Sequence, residues 1–426
     1  MYRNHYISDV KPGKGIKVAG WVHEIRDKGK LKFVILRDKT GLLQIVLKTG
    51  VVPDKLMALQ FNKEDVVCFE GEVKESKIAP GGMEMVPTDG EILNKVQLQL
   101  PVDPTDLVPS EFDTKLDYRY IDLRRAQTTA IFNIKSTVAN AFRSYLYSKG
   151  FTEIQTSAIT GAATEGGADV FQLKYFETNA YLVQSPQLYK QLAVIGGFDK
   201  VFMTVPVFRA EKHNTTTHLN EVFQMDVEIG FADHNEAMDV LEAVVLSMLS
   251  EVQEKNGKDL KTLGVEVKIP KKVPRYSYAE LIEKLQKAGD PIKWGHDFSK
   301  ENEKQMYEIL GEDLFFIYDW PTEIRAFYSM PTTDPKICHA FDLMYKGLEI
   351  SSGAMRIHKP EILEDQIRKR GLKVEDFKFY LDAFKLGAPP HAGWSIGLER
   401  FTMKLCNLEN IRQATLFPRD RTRLHP

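Results

Sequence analysis

Two arginines stand in short frames, Arg209 in Phe208-Arg209-Ala210-Glu211 and Arg400 in Gly397-Leu398-Glu399-Arg400. Both suit a grip on polyphosphate, because a guanidinium forks onto paired oxygens with directional, charge-assisted bonds. A lone Arg-x-Glu on a surface is usually a solvated ion pair, so the weight falls on what accompanies it. Two acids, Asp342 and Glu349, flank a turn at Lys346-Gly347. If that turn closes a two-residue hairpin, Asp342 faces Ser351, Glu349 shares the same sheet face, and the carboxylates converge. Hard oxygens on one ribbon suit Mg²⁺ shared with nucleotide phosphates.

Further residues extend these frames. Phe208-Arg209-Ala210-Glu211 with His218-Leu219-Asn220-Glu221 resembles the second motif of the class II aminoacyl-tRNA synthetases, and Gly393-Trp394-Ser395-Ile396-Gly397-Leu398-Glu399-Arg400 resembles the third. The likeness runs over nearly the whole chain and is nearest to the aspartate enzymes of archaeal and eukaryotic type, in the subclass shared with the asparagine and lysine enzymes. It implies ATP-dependent joining of L-aspartate to tRNA(Asp) through an aspartyl-adenylate. Arg209 would hold the α-phosphate and the amino acid, Arg400 the γ-phosphate, and His218 the β,γ end. Glu211 would accept from the adenine amino group, with Leu219, Phe223, Glu349 and Gly397 completing the ATP site. Asp342, Glu349 and Ser352 would hold Mg²⁺.

The same resemblance implies an amino-acid pocket. Lys190, in Gln184-Ser185-Pro186-Gln187-Leu188-Tyr189-Lys190, and Arg356 would face the substrate's side-chain carboxylate. Glu165 and Asp226 would accept from its ammonium, and Ser185, Gln187 and Ser352 would line the rest. Two cations left without an anion in a dry pocket carry a penalty of roughly 2 to 5 kcal/mol, which would reject asparagine. The asparagine enzymes lack the lysine of this motif, so Lys190 is the discriminating position. Two departures from the family pattern stand out. Ser157 replaces the usual proline in the first motif, Gly150 to Ser157, which builds the family's dimer interface; a homodimer is still expected. Val222 stands directly after Glu221 where an adenine-stacking aromatic is usual. Either Phe223 takes that role or another side chain does, since adjacent strand residues point to opposite faces.

These residues need elements to position them, and the pattern is α+β. In the first hundred residues Leu31, Phe33 and Ile35, then Leu43, Ile45 and Leu47, then Val67, Phe69 and Val73 alternate as short strands. Five strands make a small OB-fold barrel with an open face for single-stranded oligonucleotides. Pro101, Pro104 and Pro109 mark a hinge, so the boundaries are a barrel over 1–100, a hinge over 101–125 and a catalytic domain over 126–426. Ile131, Ile134, Val138, Ala141, Phe142 and Tyr145 predict a helix ending at Gly150. Strands around 181–184, 201–208 and 222–229 suggest mostly antiparallel pairing. Asp233 with Glu236 predicts a capped helix start, and the Lys- and Glu-rich stretch 256–312 a small helical insertion.

In the barrel, Phe33 and Gln44 stand where the family stacks on and hydrogen-bonds the central anticodon base, with Arg26 beside them. His23 and Pro80 resemble the relaxed archaeal form, which charges tRNA(Asn) with aspartate as well. The net charge of −2 leaves RNA contact to local patches, Arg26 to Lys32 or Arg419 to Arg423, which read equally as solvated faces. Cys68, Cys338 and Cys406 lack metal or disulfide spacing, and no apolar run or signal core appears, so a cytoplasmic enzyme is expected. The other readings are the asparagine enzyme, an ATP-dependent amide-forming relative, and a non-catalytic RNA-binding protein on the same fold.

Overall fold

The computed structural model describes every residue except 162–168, 213 and 426. Its contacts divide the chain into two compact units, Met1–Thr129 and Ala130–Pro426.

The first unit is a closed barrel of β1 (Gly13–Asp27), β2 (Leu31–Arg37), β3 (Leu42–Lys48), β4 (Val66–Glu75) and β5 (Met83–Asn94), with the short α1 (Asp54–Met57) between β3 and β4. Val34, Leu36, Leu43, Ile45, Leu47, Val67, Phe69 and Val73 fill it. Leu31, Phe33 and Ile35 do share a face, but it is the outer one, since Val34 and Leu36 point inward. Closure requires a glycine at one tight point: a Cβ on Gly71 would lie 2.3 Å from the Val86 carbonyl oxygen. The β4–β5 ladder shifts register at that residue. Beyond β5, the proline-bearing stretch contains α2 (Phe112–Asp117) and α3 (Arg119–Asp122). Buried Glu64 receives Arg37 at 2.7 Å and Arg124 at 2.8 Å, which ties the end of that stretch to the barrel.

The second unit is built on an eight-stranded sheet. The long helix α4 (Ala126–Ser148) leads into it, followed by β6 (Thr152–Glu153) and a separate small sheet of β7 (Ile159–Thr160), β8 (Gln172–Tyr175) and β9 (Thr178–Leu182). Next come α5 (Gln187–Ile195), β10 (Lys200–Phe208), β11 (Glu221–Gly230), α6 (His234–Lys255) and α7 (Gly257–Leu263). Then follow β12 (Arg275–Ser277), α8 (Tyr278–Lys287), α9 (Lys300–Leu310), β13 (Leu314–Pro321), β14 (Ile337–Tyr345) and β15 (Glu349–Met355). Last are α10 (Pro360–Lys369), α11 (Lys378–Lys385), β16 (His391–Gly397) and α12 (Leu398–Leu405). The order is β12-β13-β14-β15-β16-β11-β10-β6, antiparallel except at β12–β13 and β10–β6.

One face of this sheet is covered by α4 and α6. Ile134, Val138 and Phe142 meet Leu241, Val244 and Met248 over Met225, Val227 and Trp394. Gly150 takes φ of +77° after α4, and Asp233 and Glu236 form a reciprocal capping box on α6. The other face is left for chemistry, because Gln224, Asp226 and Glu228 alternate with the buried Met225, Val227 and Ile229 along β11. The stretch 256–312 also supplies the edge strand β12, and α8 packs Tyr278, Leu281 and Leu285 against Phe315 and Trp320.

Candidate active site

Arg209 directly follows β10, and the ladder carries past the strand to fix it. Its N–H donates to the Asn220 carbonyl at 2.9 Å, while the Asn220 amide donates to the Arg209 carbonyl at 2.7 Å and that of Glu211 at 3.1 Å. Arg209, Gln224, Glu349, Ser352 and Ser395 each line two cavities, which therefore adjoin. The first is completed by Glu211, Thr217, His218, Leu219, Val222, Gly397 and Arg400, the second by Ser185, Gln187, Lys190, Asp226, Arg325 and Arg356.

Arg400 sits in the first turn of α12, with Nη2 3.2 Å from Nε2 of His218 and Nη1 donating to the Glu349 carbonyl at 3.4 Å. A guanidinium only donates, so Nε2 accepts, and the proton of the neutral ring belongs on Nδ1, 2.6 Å from the Thr215 hydroxyl. Glu399 points inward, 1% exposed. It accepts from Lys135 at 2.7 Å and from the Phe223 N–H at 2.9 Å, locking the start of α12 to α4 and β11.

The β14–β15 turn forms at Lys346-Gly347, both with positive φ, but the register departs from a regular hairpin. A bulge between the Leu343 and Met344 pairs makes Asp342 face Ser352, not Ser351. The bulge matters chemically: residues three apart on a flat strand point to opposite faces, and the extra residue lets Glu349 and Ser352 line the same cavity. Arg325 spans the group, donating to both oxygens of Asp342 at 2.8 and 2.6 Å and to the Ser352 hydroxyl at 2.6 Å. Burial, reinforced by the charge of Asp342, pushes the Glu349 carboxyl up to about 7. Glu303 on α9 is pushed up to about 8, first by burial and then by Glu349. Burial also raises Asp297, which lines a small adjoining pocket with Glu303, Asp342 and Glu349.

In the second cavity the expected pair of cations is present, but not without anions. Lys190 is 1% exposed. It donates to Asp226 Oδ1 at 2.8 Å and to the carbonyls of Trp394 at 3.1 Å and Val227 at 3.2 Å. All three ammonium protons have acceptors, and Glu228 lies 3.4 Å away. Glu228 forks onto Arg356 at 3.0 and 3.3 Å, and burial, which would raise its pKa, is outweighed by Arg356 and Lys190, which lower it. Asp226 is likewise engaged, since Ser395 donates to its Oδ2 at 3.1 Å. The reading of two uncompensated cations is therefore corrected: the buried quartet Lys190, Arg356, Asp226 and Glu228 is neutral. Asp226 can meet a substrate ammonium only by sharing its oxygens.

Other expected residues fall as follows. Ser185 and Gln187 line the second cavity, and the Gln187 amide N–H₂ donates to Gln191 at 2.9 Å, leaving its carbonyl oxygen as acceptor. Phe223 does not line the first cavity; Val222 and Gln224 do, because the strand turns alternate residues to that face. Glu165 lies outside the described residues. Sequence reasoning passed over Glu228 and Gln224, although both stand two residues from Asp226 and so share its face. The Gln224 carbonyl oxygen is buried without a hydrogen-bond partner among the described residues, an acceptor aimed at the site. Arg325 carried no sequence signal.

On the barrel, cross-strand pairing puts Arg26 beside Phe33 and Ile35 beside Gln44 on the outer face. Gln44 donates to Glu84 at 3.2 Å. His23 is the extra residue of a β1 bulge, its Nδ1 3.0 Å from Arg37, and Pro80 opens a turn whose Gly81 lies close against the Leu42 carbonyl. Lys32 leaves the proposed basic patch, donating to the Met57 carbonyl at 3.0 Å.

One antiparallel sheet thus carries two adjoining cavities, one lined by Arg209 and Arg400 and the other by Lys190, Asp226 and Arg356. The family described as tRNA synthetases class II (D, K and N) matches residues 111–421, and the chain belongs to it; the OB-fold nucleic acid binding domain matches residues 16–93. The chain is 48% identical to the aspartate–tRNA(Asp/Asn) ligase of Methanocaldococcus jannaschii, covering 100% of the chain and 98% of that protein. It is also 48% identical to the aspartate–tRNA(Asp) ligase of Pyrococcus furiosus, covering 100% of both. Asparaginyl-tRNA synthetase from Pyrococcus horikoshii, in complex with asparaginyl-adenylate, superposes with a TM-score of 0.94 at 34% identity over 100% of both chains. Aspartyl tRNA synthetase from Entamoeba histolytica gives 0.87 at 31% identity, covering 97% of this chain and 90% of that one.

Proposed function

We propose that this chain ligates L-aspartate to the 3′ end of tRNA(Asp), and of tRNA(Asn) as well. The observation that carries the reading is the position of Arg209, on the wall common to both cavities. The aspartate α-carboxylate attacks the α-phosphorus of ATP and pyrophosphate leaves. The terminal ribose hydroxyl of the tRNA then attacks the adenylate carbonyl and AMP leaves. The carboxylate is itself the nucleophile, so the first step needs alignment and charge stabilisation more than a protein base. Arg209 neutralises charge growing on the α-phosphate, Arg400 and His218 hold the far end of the triphosphate, and Glu211 accepts from the adenine amino group. Val222, in place of Phe223, covers the adenine.

Asp342, Glu349 and Ser352 fit Mg²⁺: the donors are all hard oxygens, and a carboxyl raised to about 7 is one that a divalent cation would return to its charged form. Bound there with ATP, the ion would neutralise phosphate charge. Arg356 meets the substrate side chain with the N–H groups that Glu228 leaves unused, Lys190 offsets the charge of Asp226 and Glu228 that would otherwise repel an aspartate side chain, and Gln187 and Gln224 offer oxygens to the ammonium. Glu165 completes that end by the family pattern. The chain works as a homodimer in the cytoplasm.

Phe33, Gln44 and Arg26 form the anticodon face. Loose reading of the last base is supported by what His23 and Pro80 withhold: the imidazole is occupied by Arg37, and proline has no N–H to offer. Labelled aspartate, ATP and transcripts of both tRNAs test the proposal. Aspartate should charge both and asparagine neither; charging of tRNA(Asp) alone refutes the relaxed reading, and charging with asparagine overturns the pocket.

A further inference from the structure

Away from the synthetase site, His234, Asp319 and His339 come together from three elements. His234 is the first residue of α6, Asp319 lies in β13 and His339 in β14. One ligand-type atom from each lies within 4.8 Å of the others. The two imidazoles stack with centroids 4.3 Å apart and 16° between their planes. His339 Nδ1 and Asp319 Oδ1 are 3.6 Å apart, beyond a hydrogen bond.

Three buried polar atoms here have no hydrogen-bond partner among the described residues: Nδ1 of His234, Oδ1 of Asp319 and Nδ1 of His339. A buried unpartnered polar atom costs about 1 to 3 kcal/mol, so three in one cluster need a reason. The backbone is also shaped to bring them there. The β13–β14 ladder shifts register between Tyr318 and Trp320, and Asp319 at that bulge takes φ of +58°, the left-handed region that costs a non-glycine residue.

We infer that His234, Asp319 and His339 bind a first-row divalent transition metal of the zinc class, pinning the start of α6 to the β13–β14 pair. Two imidazole nitrogens and one carboxylate oxygen suit such ions better than Mg²⁺, which prefers oxygen donors. Metal–ligand bonds of about 2.0–2.2 Å draw ligand atoms to roughly 3–4 Å apart, and because an imidazole ligates in its own plane, one ring must turn out of the stack for both nitrogens to face one ion. A water or a passing ligand would fill the remaining coordination.

The full-length protein, held in millimolar Mg²⁺ to occupy the oxygen-lined site, is titrated with Co²⁺ and followed by visible absorption, with Zn²⁺ in competition. Wild type should take up one Co²⁺ per chain with ligand-field bands, displaced by Zn²⁺. His234→Gln and His339→Gln should each weaken binding by more than about tenfold, and Asp319→Asn should shift the bands. Zn²⁺ should raise the melting temperature of wild type and not of His339→Gln. Free of transition metal but in Mg²⁺, His339→Gln should keep wild-type circular dichroism and aspartate-dependent exchange, which separates a lost ligand from a lost fold. Absence of Co²⁺ bands in wild type, or equal affinity in all variants, would overturn the assignment.

Discussion

Replacing Lys190 by methionine tests the charge on which selection of the substrate depends in the proposed function. The buried quartet of Lys190, Arg356, Asp226 and Glu228 sums to zero, and the variant leaves it at −1. An aspartate side chain entering the cavity then meets one uncompensated negative charge. At a separation of about 5 Å and an effective dielectric near 20, that repulsion is about 3 kcal/mol, on the order of 10²-fold in kcat/KM. Asparagine has no side-chain charge, so whatever activation it shows should change by less than about tenfold. Stability should fall too, by about 3 to 5 kcal/mol, because Asp226 loses its cation in a buried setting. Glu228 keeps Arg356 and Asp226 keeps Ser395, so the fold should survive at a lower melting temperature. The assay is ATP–pyrophosphate exchange with each amino acid below the variant's melting point. Equal losses for both amino acids would mean that Lys190 only supports the fold, and an unchanged aspartate rate would refute the electrostatic argument outright.

Three more expectations can be checked on the same protein. Arg400→Ala should abolish pyrophosphate exchange while leaving tRNA binding nearly intact; loss of both would point to a folding role. Glu303 has its folded pKa raised from 4.5 to about 8, so the unfolded chain binds fewer protons and stability falls as pH climbs through that window. The penalty reaches up to about 3 kcal/mol at neutral pH, and melting of Mg²⁺-free Glu303→Gln between about pH 5 and 8 should show a flatter slope than wild type; parallel slopes would count against it. Phe33→Ala should weaken tRNA binding by roughly tenfold to a hundredfold, the worth of one stacked base, without touching adenylate formation. A change in exchange without tRNA would show that Phe33 acts through the fold.

Much of this architecture is legible in the chain because local signals agree with it. The helix spacing of Ile134, Val138 and Phe142, the Asp233–Glu236 box and the turn at Lys346-Gly347 are decided by neighbours in sequence, and they form where the pattern puts them. What escaped depends on contacts across the fold. The β15 bulge moves the partner of Asp342 by one residue, and no local rule announces it. Outer and inner barrel faces both carry apolar residues, so alternation alone could not say that Phe33 lies outside and Val34 inside. The counter-charges Asp226 and Glu228 were visible as an alternating pair on one strand, but their claim on Lys190 required knowing that α5 crosses that strand. Arg325 reaches Asp342 from outside every recognised motif.

In the proposed function Arg209 joins two separately occupied cavities at the reacting atoms. Its most direct measurement is aspartate-dependent ATP–pyrophosphate exchange in Arg209→Gln, alongside separate binding titrations of ATP and aspartate. Exchange should be lost by several orders of magnitude while each substrate still binds within about tenfold of wild type. Exchange near the wild-type rate, or loss of exchange explained wholly by failure to bind one substrate, would contradict it.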